Sequence, residues 1–295
     1  MPAAGADSPL LEHDEQEQAA RHTAPGARII HEVLREEGEQ ELEKRPAAVA
    51  WSGLAAGMSM GFSFLCMAFI NSMLPDTPLR HLVASAGYTI GFVITILGRQ
   101  ELFTESTVTA VLPLLMRRDR KTLFALVRFW AVVLLANLAG TVLFAWLLTY
   151  KGLFAPEVSA SLQEIARSTM SAPFDITLLR AVLAGWLIAL MAWMLPSARS
   201  ARLFVILLLT YVVALGHLSH IVAGSVEAAY AVMQGAASIR DYLFSFLVPT
   251  LIGNTIGGVT LVALLNHAPL AQELQSGDAE ATKAAPEVAP KKKMK

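Results

Sequence analysis

Glu101-Leu102-Phe103-Thr104-Glu105-Ser106 interrupts one hydrophobic run, residues 82–116, and Gly216-His217-Leu218-Ser219-His220 interrupts another, residues 202–236. Both runs exceed the 17 to 25 residues, roughly, that a helix needs to cross a bilayer. Each therefore reads as two half-helices joined by a loop at membrane depth. Such a loop is tolerable only where protein or a cavity surrounds it, because hydrocarbon leaves its N–H and C=O groups unsatisfied. The same signature follows each break: Thr104 precedes Asn137-Leu138-Ala139-Gly140 by 33 residues, and His220 precedes Asn254-Thr255-Ile256-Gly257 by 34. This spacing describes an internal repeat with Asn137, Gly140, Asn254 and Gly257 as its markers. With three spans per copy, the odd number inverts the second copy, so the two loops enter from opposite sides and meet at mid-depth. Broken helices meeting there form a permeation site.

Composition sets the class. Hydrophobic residues make up 55% of the chain and charged residues 16%, with a mean hydropathy of +0.51, more apolar than a soluble domain of ordinary composition. The fold expected is an all-α polytopic membrane protein with six transmembrane helices near 47–73, 82–116, 122–150, 174–195, 202–236 and 242–265, of which the second and fifth are interrupted. The net charge of −1 gives no basic field for nucleic acid, which is not expected as a partner. Cys66 is the single cysteine and lies in an apolar run, so it reads as packing. No phosphate-binding glycine loop, HExxH pattern or cysteine pair occurs, and neither an enzyme activity, a cofactor nor a metal is expected. Residues 1–45 are polar and acidic, unlike a signal peptide. Ile29, Ile30, Val33 and Leu34 within Ala27 to Lys44 predict a surface helix leading into the first span.

Orientation follows from Lys and Arg next to the spans. Lys44 and Arg45, then Arg117, Arg118, Arg120 and Lys121, then Arg199 and Arg202, then the closing Lys291, Lys292, Lys293 and Lys295 all fall on one side. Both termini are thus expected in the cytoplasm, with the 150–174 connection as the longest external loop. Three parts follow: an acidic N-terminal segment 1–45, a six-helix channel domain 46–268, and a disordered tail 269–295. Glycines at 53, 57 and 61, and again at 253, 257 and 258, predict close helix approach in both halves.

Three motifs, in order, resemble the formate/nitrite transporter family over about residues 45–268. Glu101-Leu102-Phe103-Thr104 followed by Ser106-Thr107 is similar to its Ω-shaped loop, Leu218-Ser219-His220-Ile221-Val222-Ala223 to the segment with its central histidine, and Gly253-Asn254-Thr255-Ile256-Gly257-Gly258 to its sixth-helix signature. The resemblance implies an aquaporin-like protomer assembled as a homopentamer in a bacterial-type inner membrane. It also implies that Leu102, Phe103 and Thr104 form the cytoplasm-facing constriction, that His220 is the lone polar group between hydrophobic constrictions, and that Thr104 is its hydrogen-bonding partner. The chain departs from the family pattern at Gly185, where an Asn near the pore is usual, at Thr169, where a basic residue is usual and only Arg167 is near, and at Glu105. That carboxylate either faces the pore or, paired with Arg99, braces the loop; the brace is the expectation, with Glu101 acting likewise.

The function expected is a channel or transporter for small monovalent weak-acid anions such as formate, passive or coupled to protons, with His220 as proton donor or relay and Thr104 as gate. A bare anion at the bilayer centre is heavily penalised, whereas histidine changes its proton occupancy near neutral pH. Two alternatives stay open: an aquaporin-like pore for small neutral solutes, favoured by Gly185 and Glu105, and a membrane scaffold or sensor with a non-conducting pore. The lipid bilayer is a partner in all three.

Overall fold

The computed structural model describes residues 25–265; the first part of the N-terminal segment and the 269–295 tail lie outside them. The described residues are helical throughout, without strands. Helix α1, Ala27–Glu43, precedes six spans. These are α2 (Pro46–Met73); α3 (Pro78–Leu97), with the short α4 (Ser106–Thr109) and α5 (Leu112–Arg117) beyond its break; α6 (Arg120–Leu148); α8 (Phe174–Ala198); α9 (Arg202–Leu215) and, beyond its break, α10 (Ala223–Met233); and α11 (Ile239–Leu264). The 150–174 connection is itself ordered, as helix α7 (Pro156–Thr169).

Local chemistry places these boundaries. Proline stands at the first turn of α2, α3 and α7, where its missing N–H costs nothing and its fixed φ suits the helix. Asp119 caps α6: its carboxylate accepts the Thr122 N–H at 2.9 Å and the Thr122 hydroxyl at 2.7 Å, and those two donors hold it below the usual carboxylate range. Arg99 and His217, at φ 50° and 49°, turn the chain out of α3 and α9 into the two breaks. Helix α11 carries wide turns with i to i+5 hydrogen bonding at Tyr242–Leu247 and Ile256–Leu264, on either side of Asn254.

Close contacts repeat with the repeat. A Cβ on Gly57 would lie 2.0 Å from the Asn137 carbonyl oxygen, and one on Gly185 would lie 2.4 Å from that of Asn254. Gly140 meets Leu54, Met58 and Gly57 as Gly257 meets Val182, Trp186 and Gly185. Helix pairs α2–α6 and α8–α11 thus have the same backbone-to-backbone seam, as an inverted repeat requires. One buried cluster at the centre joins Phe92, Leu102, Phe103, Ile188, Ile221 and Val222. A second gathers Phe64, Phe144, Leu162 and Tyr230 beneath α7, and Asn71 and Arg80 tie α7 down through Ser161 and Glu164. Trp51, Phe124 and Leu135 form part of an apolar outer belt, each more than 60% exposed.

Candidate functional site

Each break is held by one asparagine. The Asn137 side-chain oxygen accepts the Phe103 N–H at 3.0 Å while its amide nitrogen donates to the carbonyls of Gly53 (2.8 Å) and Glu101 (2.9 Å). Asn254 does the same for Ile221 N–H (2.8 Å), Ala181 (2.8 Å) and Ser219 (2.9 Å). A single amide therefore satisfies three backbone groups of a loop and its neighbouring helix, the groups that hydrocarbon would leave unpaired. This pairing also corrects the register of the repeat. Phe103 corresponds to Ile221, so His220 is the counterpart of Leu102, and Thr104 that of Val222; the two polar residues occupy different places in their loops.

That offset brings them together. Thr104 Oγ1 and His220 Nε2 lie 2.7 Å apart, with both residues buried. His220 Nδ1 accepts the Ala223 N–H at 3.1 Å, which leaves the single hydrogen of a neutral ring on Nε2. Nε2 then donates to Thr104 Oγ1, and the threonine hydroxyl hydrogen is left free to donate in turn. A proton added at Nδ1 would confront the Ala223 N–H, so in this arrangement His220 serves as a neutral, hydrogen-bonding imidazole. Phe92 stands edge-on to His220, with ring centroids 5.0 Å apart, and Tyr88 lies one helical turn away against Phe92.

Two vestibules approach this pair. On the side of α1, a cavity of about 270 Å³ ends at Leu102 and is lined by Glu41, Lys44, Glu101, Glu105 and Arg202 among others. On the far side a cavity of about 470 Å³ ends at His220 and takes in Tyr88, Thr169, Arg180, His217 and Glu227. Leu102, Phe92, Thr104 and His220, all buried, separate them. Helix α1 lies across the first mouth: Glu41 accepts the Thr109 hydroxyl at 2.7 Å, Glu39 pairs with Arg117 at 2.7 Å, and Lys44 Nζ meets Glu101 Oε1 at 2.5 Å. Burial, and then the charge of Glu101, push the Glu41 carboxyl up to about 8.

A sequence profile described as "Formate/nitrite transporter" matches residues 28–268. The chain belongs to the formate/nitrite transporter family. It is 41% identical over 250 residues, 85% of this chain and 81% of the relative, to "Inner membrane protein YfdC" of Escherichia coli (strain K12). It is 25% identical over 263 residues, 77% of this chain and 89% of the relative, to "Formate channel FocB" of the same organism. Among solved structures, a "Pentameric formate channel with formate bound" superposes with a TM-score of 0.67 at 19% identity, covering 77% of this chain and 98% of that one. An "FNT family ion channel" gives 0.65 at 22%, covering 81% and 94%. These likenesses show the aquaporin-like fold.

In this transporter several sequence expectations change. Arg99 makes no ion pair with Glu105 among the described residues: its left-handed turn leaves it exposed, and the loop is braced instead by Lys44–Glu101, by Ser52 Oγ accepting the Glu101 N–H at 3.0 Å, and by Asn137. Glu105 faces the α1-side vestibule, which Arg99 and Arg202 also line. Phe103 lines neither cavity; it packs edge-on against Trp130 with centroids 6.0 Å apart. Gly185 is a helix contact on Asn254 and so says nothing for a neutral-solute pore. His217 stacks on His81 at 4.2 Å. Arg167 is exposed, and the far vestibule's cation without a carboxylate partner among the described residues is Arg180. Sequence reasoning missed Phe92, Arg180 and above all Glu227, a buried carboxylate in an apolar half-helix; an ionisable residue inside a span is the signal that marks it.

Proposed function

We propose that this formate/nitrite transporter is a channel for small monovalent anions of weak acids, formate representing the class, that pass between the two vestibules at the Thr104–His220 pair. The observation that carries the reading is a free hydroxyl hydrogen on Thr104, supported by His220 and set between apolar groups where the two broken spans meet. A carboxyl group stripped of water needs a donor there, whether it arrives as the anion or as its undissociated acid, and the Thr104 hydroxyl supplies one. The relatives named formate channels support this substrate class. Basic residues flanking the spans on the α1 side support a cytoplasmic location for both termini. The relative named as an inner membrane protein supports a bacterial inner membrane, and the pentameric neighbour supports five copies, each with its own pore.

Formate uptake by proteoliposomes tests the reading. Uptake that falls by about tenfold or more in Thr104→Val, as an unsatisfied polar group in a buried site implies, supports it; wild-type protein that carries no formate rejects it. A pore for neutral solutes is a second reading, favoured by Glu101 and Glu105 in the α1-side vestibule. Ammonia flux without formate flux would select it.

A further inference from the structure

Glu227 has no part in the reading above. It sits on α10, 6% exposed, in the far vestibule beside Tyr88 and above His220, with no ion pair among the described residues. Its partner is Thr169, the position where the family resemblance led us to expect a cation. Thr169 Oγ1 touches Glu227 Oε2 and also lies 3.2 Å from the Ile165 carbonyl. These two contacts suit both protonation states of the carboxyl group. When Glu227 is ionised, the threonine hydroxyl donates to it; when Glu227 is protonated, its own O–H donates to Thr169 Oγ1, and the threonine hydroxyl turns to the Ile165 carbonyl. A buried acid whose hydrogen bonding survives the loss and gain of a proton is built to exchange one.

The other titratable and charged groups of this vestibule come from every wall. Asp76, Arg80, His81 and Tyr88 stand on α3 and the turn before it, Glu164 on α7, Arg180 on α8, and His217 and His220 in the break of the fifth span. Arg80 is engaged with Asp76 and Glu164, and His81 and His217 are stacked on one another. Helices α2 and α6 also pack on α10; α2 contributes only Cys66 as a titratable group, and α6 none between Arg128 and its end. Helix α11 brings Arg240, Asp241 and Tyr242 at its start, where Asp241 is held by Ser238. Arg180 thus remains to attract an anion, and His220 is committed at Nδ1 to the Ala223 N–H.

We infer that Glu227 is the proton-exchanging group of the far vestibule: it hands its proton to a small weak-acid anion drawn in by Arg180, and the undissociated acid goes on to Thr104 and His220. The inference rests on the proposed anion channel and names where its proton comes from. In the step, the Glu227 O–H bond breaks and an O–H bond forms on the anion. Glu227 is left as a carboxylate receiving the Thr169 hydroxyl, and water of the vestibule returns its proton. The net event moves one anion and one proton together.

Formate uptake into proteoliposomes, measured against external pH from 5 to 8, tests this. In Glu227→Gln, purified with wild-type assembly size, uptake at pH 5 falls at least tenfold and the slope with pH is lost. In Thr169→Val the midpoint moves to higher pH, because the carboxylate loses a charge-assisted donor while the acid loses only an ordinary acceptor. A Glu227→Gln protein with the wild-type profile, or one that carries formate faster at every pH, overturns the inference; so does a Thr169→Val midpoint that stays in place. The two failures are distinct. Formate flux lost in Thr104→Val but intact in Glu227→Gln removes this inference alone, whereas wild-type protein without formate flux removes the channel reading and this inference with it.

Discussion

At the scale of single residues, the centre of the molecule depends on which nitrogen of one imidazole is occupied. Ala223 N–H on His220 Nδ1 fixes the tautomer, the tautomer makes Nε2 a donor, and Thr104 therefore presents its hydrogen to the passage. Thr104→Val should leave that Nε2–H without an acceptor in a buried site. A cost of about 1 to 3 kcal/mol in stability follows, readable as a lowered unfolding midpoint in detergent alongside the lost flux. The sequence showed that a threonine and a histidine sit in matched breaks. It did not show their register, because alignment on the polar residues hides the two-residue offset that the Asn137 and Asn254 hydrogen bonds reveal. Glu227 was legible in principle as a carboxylate in an apolar half-helix. Its meaning needed Thr169, 58 residues away in sequence, and no spacing rule reaches that far.

At the scale of elements, the two asparagines and the glycine seams carry the inverted repeat. Asn137→Ala and Asn254→Ala each strand one N–H and one carbonyl of a buried loop and remove a bond to a carbonyl of the neighbouring helix, so each should cost about 3 kcal/mol or more. By contrast, Asn71→Ala, which loses contacts on α7, should cost about 1 kcal/mol. Thermal unfolding in detergent separates these cases, and equal losses would contradict the account. Gly57→Ala and Gly185→Ala place a methyl 2.0 and 2.4 Å from backbone oxygen, where no flexible side chain can yield. Overpacking of about 1 to 3 kcal/mol or beyond is expected at both. The seams were legible because small residues recurred in both halves; the role of Gly185 was not, since a family position near a pore and a helix contact look alike in one dimension. In sequence helix α7 reads as loop, although Val158, Leu162, Ile165 and Ala166 recur at helical spacing behind Pro156; at one short helix that signal is weaker than that of a span.

Helix α1 adds a pH dependence with a definite sign. The Glu41 carboxyl is held at about 8 against an ordinary value of 4.5, burial being the main cause and Glu101 the next. The docked state therefore binds the proton that the undocked state releases across that window. Docking is strongest below about pH 4.5, weakens as pH rises through the interval, and has lost this contribution above about 8. Hydrogen exchange of residues 27–43 should accelerate over that range in the wild-type protein, beyond the intrinsic rise with pH, and Glu41→Gln should remove the excess. An excess that persists in Glu41→Gln would place the cause elsewhere.

At the scale of the whole molecule, an asymmetric chain builds a nearly symmetric frame and hangs different chemistry on its two ends. One vestibule is walled by α1 and lined with acidic groups balanced by Lys44, Arg99, Arg199 and Arg202; the other has Arg180 at its wall and Glu227 within. The frame follows from hydropathy, from the odd number of spans per copy and from paired glycines. The difference between the ends arises from side chains that only the fold brings together. On this account everything that crosses must pass Thr104. The most direct test is silver-ion modification of Thr104→Cys in a Cys66→Ser background reconstituted in liposomes, with formate flux as the readout. The account predicts that the small cation reacts at residue 104 when added from either side and that flux then stops; flux that continues after residue 104 has been modified would contradict it.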